Sequence, residues 1–373
     1  MTMKLPLLSE LDKEQLDIYG FPADQSLVVI GPPGSGKTSM AIWRAMFAAR
    51  QEQKVVLITK GRMLKAMAGQ LGREGAEGDG KAAFTTTTMQ KFVWSDCVDN
   101  AGRRPNGGEG DYTLDWRMIS GWYEAKVVSP HVDHMIIDEG QNLPFGFLAW
   151  AHKYVAKTIS IFADEHQTTV DDGTTMQELR TLGIRDWKWL AYNHRNTPEI
   201  ARVAAWFHRD RQLPESIVRR PAKGDVPKVV RVGSWDDLAD KAANRLVNTA
   251  SSIGVITYEQ VDVEAIYKAM RKAVPKEKRV DWFHSKRPAG AEFFPIRDEG
   301  ITVHSSESAI GLEFDTVYLQ DLERSLKHPG PESDRRLYML TARARDLLVL
   351  VNGEKELDAA QLERLPPKPI VDR

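Results

Sequence analysis

The segment Gly31-Pro-Pro-Gly-Ser-Gly-Lys-Thr38 follows the apolar run Leu27–Ile30 and precedes a helix-like stretch from Ser39 to Arg50. It fits the phosphate-binding loop G-x-x-x-x-G-K-[ST] at every fixed position. Few features constrain a fold more, because such a loop works as the turn between a strand and a helix whose positive end faces an anion. Glycines let backbone N–H groups curl around phosphate oxygens, Lys37 reaches the β- and γ-phosphates, and the Thr38 hydroxyl ligates magnesium. The expected nucleotide contacts are therefore Gly31, Pro32, Pro33, Gly34, Ser35, Gly36, Lys37, Thr38 and Ser39. The loop alone does not say what hydrolysis is used for.

A chain of 373 residues with 42% hydrophobic content suggests two or three domains with substantial cores. A net charge of −1 is not that of a protein coated in positive charge, so any nucleic-acid contact would use a local groove. The richest basic cluster, Lys268, Arg271, Lys272, Lys276, Lys278 and Arg279, reads as a solvated helix face. The single cysteine, Cys97, cannot form an intramolecular disulfide. No apolar segment resembles a signal peptide or a membrane span, so the cytoplasm is the expected compartment and no membrane partner is expected.

Short β-branched runs recur between helical patterns: Leu27–Ile30, Val55–Thr59, Met135–Ile137, Ile159–Phe162, Val229–Val232, Gly254–Thr257, Ile301–His304, Thr316–Leu319 and Leu347–Val351. This alternation indicates an α/β fold with parallel sheets. Glu199–Arg209 and Trp235–Thr249 carry the apolar rhythm of core-facing helices. The stretches Gly72–Gly80 and Asn100–Asp111 read as exposed loops, and Leu365–Ile370 as an extended tail. We expect two domains, 1–196 with a small insertion around 93–133, and 197–373 with a short tail.

A second motif, His134-Met-Ile-Ile-Asp138-Glu139-Gly-Gln141, is a buried-type strand ending in adjacent carboxylates. In a magnesium-dependent NTPase Asp138 would hold the metal and Glu139 would orient and polarise the attacking water. A further strand ends at Ile161-Phe-Ala-Asp164-Glu-His-Gln167, where Gln167 could donate to a γ-phosphate oxygen and so sense hydrolysis. Ligands of open α/β sheets bind beyond the carboxyl ends of the strands. Asn193-His-Arg195 and Tyr338–Asp346, which contains Arg343, add guanidinium groups of the kind that stabilise phosphoryl transfer.

The order of these motifs resembles superfamily 1 helicases of the UvrD/Rep/PcrA type across nearly the whole chain. It runs from Leu11-Asp-Lys-Glu-Gln15 through the phosphate loop, Val56–Thr59, Asp138–Gln141, Ala163–Gln167 and Asn193–Arg195 to Gly311-Leu-Glu-Phe-Asp315 and Tyr338–Asp346. The resemblance implies two tandem RecA-like P-loop NTPase lobes with ATP and Mg2+ in the cleft between them. It also implies single-stranded DNA crossing both lobes, and ATP hydrolysis coupled to translocation, in the 3′ to 5′ direction. Carried over by position, Gln15 would bind adenine and Glu313 the ribose, while Lys37, Glu139, Gln167, Arg195 and Arg343 would act on the γ-phosphate. Thr38 and Asp138 would hold magnesium. Thr59, Lys60, Thr87, Phe92 and His304 would line the nucleic-acid path, where backbone contacts and stacking also tolerate RNA.

The chain departs from that pattern in places. His194 stands where relatives carry a stacking tyrosine, and Ile310 where they tend to have lysine. Thr168–Thr175 lacks the base-stacking aromatics of the relatives; Trp187, Trp189 and Tyr192 could replace them, although the two tryptophans, beside an apolar strand, read as core residues. There is no room for large accessory insertions, so a protein partner, such as a nuclease or a repair or defence subunit, would supply duplex separation. The competing reading keeps ATP binding and hydrolysis but uses them as a switch inside such a complex, without autonomous unwinding.

Overall fold

The structure is a computed structural model that describes residues 5–59, 84–105, 114–164, 173–208, 216–284 and 298–373, together with Lys65, Ala68 and Gly69. The chain forms two compact units, one from Lys4–Pro32 and Gly36–Ala191, the other from Tyr192–Arg373 with the loop tip Pro33–Ser35. The division falls earlier than the 196/197 boundary expected from the sequence. The reason is local: Tyr192–Asn193 (β7) pairs with Ile217–Val218 (β8), which ties this strand to the second unit.

The first unit is built on a six-stranded parallel sheet. Its strands are Leu27–Ile30 (β1), Val55–Thr59 (β2), Thr85–Thr88 (β3), Val132–Ile137 (β4), Ala156–Ala163 (β5) and Asp186–Trp189 (β6). The spatial order is β3-β2-β4-β5-β1-β6. Every residue of β1 and β2 is buried, as expected of strands covered on both faces. Each fully buried Val, Leu or Ile contributes about 1.5–3 kcal/mol, so these short runs fix the sheet. The order places β5, which ends beside Asp164, between the phosphate-loop strand β1 and the acidic strand β4.

Helix α1 (Lys13–Tyr19) begins with a capping box in which Asp12 accepts from the Gln15 N–H while the Gln15 side chain accepts from the Asp12 N–H. Helix α2 (Lys37–Arg50) follows the phosphate loop directly. Arg44 of α2 is fully buried and donates to Ser160 Oγ (2.8 Å), Phe21 O (2.8 Å) and Pro22 O (2.9 Å). It thereby ties the connection between α1 and β1 to the sheet. Burial lowers its pKa to about 10, which leaves it charged at neutral pH.

The second unit carries its own six-stranded parallel sheet. Its strands are Lys228–Arg231 (β9), Ser252–Thr257 (β10), Val280–Phe283 (β11), Gly300–Ser305 (β12), Phe314–Leu319 (β13) and Ala344–Asn352 (β14), in the order β11-β12-β10-β13-β14-β9. All residues of β10, β12 and β13 are buried. The core-facing helices run over Pro198–Phe207 and Trp235–Thr249. The tail is docked, with Val371 buried and Asp372 bridged to Lys228. The basic cluster is only partly a solvated face, since Arg271 donates to Val274 O, Pro275 O and Lys278 O and so closes the end of its helix. Among the described residues, no helix is long and apolar enough to cross a membrane.

Candidate functional site

Gly36 caps α2 with φ 89°, in the left-handed region where glycine is favoured. A side chain there would also meet Gln15 Nε2 at 2.8 Å, so the glycine lets the Gln15 amide lie against the loop. Lys37 is buried and its Nζ donates to Gly31 O (2.6 Å) and Pro32 O (2.9 Å), with Asp164 Oδ2 at 3.3 Å. The ammonium is thus held at the base of the loop by two carbonyls and a carboxylate.

Beyond β4, Thr38 Oγ1 donates to Asp138 Oδ2 at 2.8 Å. Asp138 is 1% exposed, and its Oδ1 is buried with no hydrogen-bond partner among the described residues. Burial, reinforced by the neighbouring Glu139 charge, pushes the Asp138 carboxyl up to about 7. A buried carboxylate with an unmet oxygen beside a hydroxyl suits a hard divalent cation. Among the described residues, no group of three or more His, Cys, Asp or Glu could hold a metal alone. A cation here would need further oxygens from a bound ligand or from water.

Glu139 is buried and adopts φ 56°, a left-handed conformation that is costly for a residue with a side chain. Its Oε2 accepts from Gln141 Nε2 (2.6 Å) and Asn142 Nδ2 (3.3 Å). Gln141 Oε1 in turn accepts from the Asp164 N–H (3.0 Å), which links the ends of β4 and β5. The strained backbone and the amide pair hold one carboxylate in a fixed direction at a strand end, as a group that must orient water requires. The sequence pattern assigns no role to the Gln141 and Asn142 amides, although both residues are near neighbours of Glu139 in the chain.

In the second unit, Gly34 at φ 77° has its carbonyl bound by the His194 N–H at 2.8 Å. A side chain at Gly34 would fall 2.4 Å from Asn193 Oδ1. His194 itself is exposed and lies edge-on to Tyr192, whose ring is covered by the Arg219 guanidinium at 3.7 Å. Glu313, expected at a ribose, has one carboxylate oxygen engaged by Arg195 Nε. Arg343 is buried and donates to Met339 O at 3.1 Å.

The expected nucleic-acid contacts are placed differently. Thr59 and Thr87 lie on paired strands, β2 and β3, and are buried. Phe92 packs against Trp150 in the core of the first unit. His304 is an interior residue of β12, set against Phe314 and Phe283, and burial followed by the Arg279 charge lowers its pKa to about 3. Thr59, Thr87 and His304 are thus covered within their sheets, and Phe92 is turned to the core by the helix Met89–Asp96. Lys60 and Gln167 lie outside the described residues. Trp189, expected in the core, is 55% exposed because it sits on the edge strand β6, while Trp187 packs against the core.

No family model matches the chain. No curated protein matches it either. Among solved structures, it is similar to the C-terminal domain of a possible DNA helicase from Lactobacillus plantarum WCFS1, with 21% identity and a TM-score of 0.35 over 48% of this chain and 97% of that one.

Proposed function

We propose that the chain is an ATP hydrolase that couples turnover to movement along single-stranded DNA, with two RecA-like lobes and 3′ to 5′ polarity. The observation that carries this reading is the buried Asp138 carboxylate. Its Oδ2 is bound by Thr38 and its Oδ1 is unmet among the described residues, at a strand end next to a complete phosphate loop. Those residues fit a magnesium–triphosphate. The backbone of Gly31–Thr38 and Lys37 would hold the phosphates, Thr38 and Asp138 the cation, and Gln15 the base. A bound Mg2+ would neutralise phosphate charge and so make the terminal phosphorus more open to attack.

The protein's own groups do the rest. Glu139, steadied by Gln141 and Asn142, accepts a proton from the attacking water. Lys37 balances phosphate charge, and Arg195 and Arg343 supply guanidinium groups for the charge that develops during transfer. DNA is favoured as the track by the resemblance of the motif order, and the absence of large insertions favours a partner for duplex separation.

The test is release of streptavidin from biotinylated oligonucleotides by the purified chain with ATP. Faster release from the 5′ end than from the 3′ end supports 3′ to 5′ movement. ATP turnover with no release from either end would support the switch reading and sink the motor.

A further inference from the structure

Arg195 and Arg343 stand on separate loops of the second unit, yet their backbones are joined by side chains that belong to none of the sequence motifs' assigned roles. Asn196 is 1% exposed. Its Nδ2 donates to Ala342 O (3.1 Å) and Ala344 O (2.5 Å), the two carbonyls that bracket Arg343. Its Oδ1 accepts from Asn193 Nδ2 at 2.8 Å, and Asn193 Oδ1 accepts from the N–H groups of Arg195 and Asn196, both at 3.0 Å. On the other side, Arg220 NH1 donates to Arg195 O (2.7 Å) and Arg345 O (2.8 Å), while its NH2 reaches Asp346 Oδ1 (2.6 Å). The pairing of β7 with β8, extended by the Arg219 N–H to Asn193 O (3.0 Å), delivers Arg220 to this place.

We infer that Asn196 and Arg220 are positioning residues that hold Arg195 and Arg343 as one preassembled pair. The inference rests on the ATP-hydrolysis reading above. The bond to Ala342 O fixes the peptide plane before Arg343, the bond to Ala344 O anchors the plane one residue further on, and the Phe314 N–H holds Arg343 O between them at 3.0 Å, so the backbone that directs this side chain is pinned. Arg195 is treated likewise, its N–H held by Asn193 and its carbonyl by Arg220. Neither clamp needs to touch substrate. A displacement of about 1 Å in a charge-stabilising group can cost ~10²-fold in rate, so the effect belongs in turnover and not in affinity.

The experiment is steady-state ATP turnover by the purified full chain, with single-stranded DNA present, for Asn196→Asp, Arg220→Ala, Arg220→Lys and Arg343→Ala, and for the first two combined with Arg343→Ala. Asn196→Asp keeps the shape and removes both donors. We expect kcat to fall ~10–100-fold in Asn196→Asp and Arg220→Ala with KM for ATP changed less than about twofold. Arg220→Lys should recover part of the loss, and either change should cost less once Arg343 is gone than in the wild type, because only Arg195 is then left to position. An unchanged kcat in Arg220→Ala, or a full multiplicative loss on top of Arg343→Ala, overturns the inference. Should Asn196→Asp fail to fold, the part-exposed Arg220 carries the same test. Wild-type turnover in Arg343→Ala is a different failure, since it removes the underlying role of that arginine and the inference with it.

Discussion

The acidic edge of the first sheet and the arginine cluster of the second unit differ in how they settle their hydrogen bonds. At the first, the buried Asp138 keeps one oxygen unmet among the described residues, and its carboxyl sits near neutrality at about 7. At the second, Asn193, Asn196 and Arg220 direct their donors to named carbonyls and carboxylates, and Arg195 is ion-paired to Glu313. Leaving a buried polar oxygen unmet costs about 1–3 kcal/mol, and at Asp138 that oxygen lies at a strand end beside a complete phosphate loop. At Asp138 the unmet oxygen is open to ligand chemistry, whereas around Arg195 and Arg343 the satisfied donors hold geometry.

That contrast breaks first at Glu139. Glu139→Gln should cut ATP turnover by ~10²–10⁴ while leaving ATP affinity within a few fold, as equilibrium binding beside single-turnover kinetics would show. Equal losses in affinity and turnover would make Glu139 a binding residue and blur the distinction. On the saturated side, Glu313→Gln should lower kcat roughly tenfold through Arg195 and leave the preference for ATP over 2′-deoxy-ATP unchanged. A lost preference would return Glu313 to the ribose.

Smaller effects sharpen the picture. Gly34→Ala forces a left-handed backbone costing about 1–2 kcal/mol and pushes on Asn193, so a melting temperature lower by several degrees should accompany weaker turnover. The smallest effect lies away from both regions, where His131 Nε2 meets Asp96 Oδ2 at 2.7 Å and that hydrogen bond raises the His131 pKa above its ordinary value. A raised folded pKa means that this stabilisation is complete below about pH 6.5 and is lost as pH rises through the folded value. The stability gap between wild type and His131→Asn, about 1 kcal/mol or less, should therefore shrink between about pH 6 and about pH 9 in urea titrations. A gap that widens with pH would contradict the assignment.

Much of this was legible in the sequence because the informative residues are close neighbours. Strands buried on both faces read as continuous apolar runs, and the phosphate loop and the Asp138–Glu139 pair are local patterns with fixed spacing. What stayed hidden depends on distance along the chain or on which face is covered. Arg220 meets Arg345 only through folding, and nothing around it announces the contact. His304 and Trp189 show the converse: a polar residue within an apolar strand lies inside, and a tryptophan on an edge strand lies outside. Period and composition do not tell a central strand from an edge.

If the acidic strand end of the first sheet hydrolyses ATP in answer to nucleic acid, with Arg343 completing the reaction, then both partners should be visible in one assay. That assay is steady-state ATP turnover by wild type and Arg343→Ala, each with and without single-stranded DNA. We expect magnesium-dependent turnover in wild type that DNA raises at least about tenfold, and a loss of ~10³ or more in Arg343→Ala with or without DNA. Wild-type turnover that DNA leaves unchanged, or that survives the loss of Arg343, would contradict this mechanism.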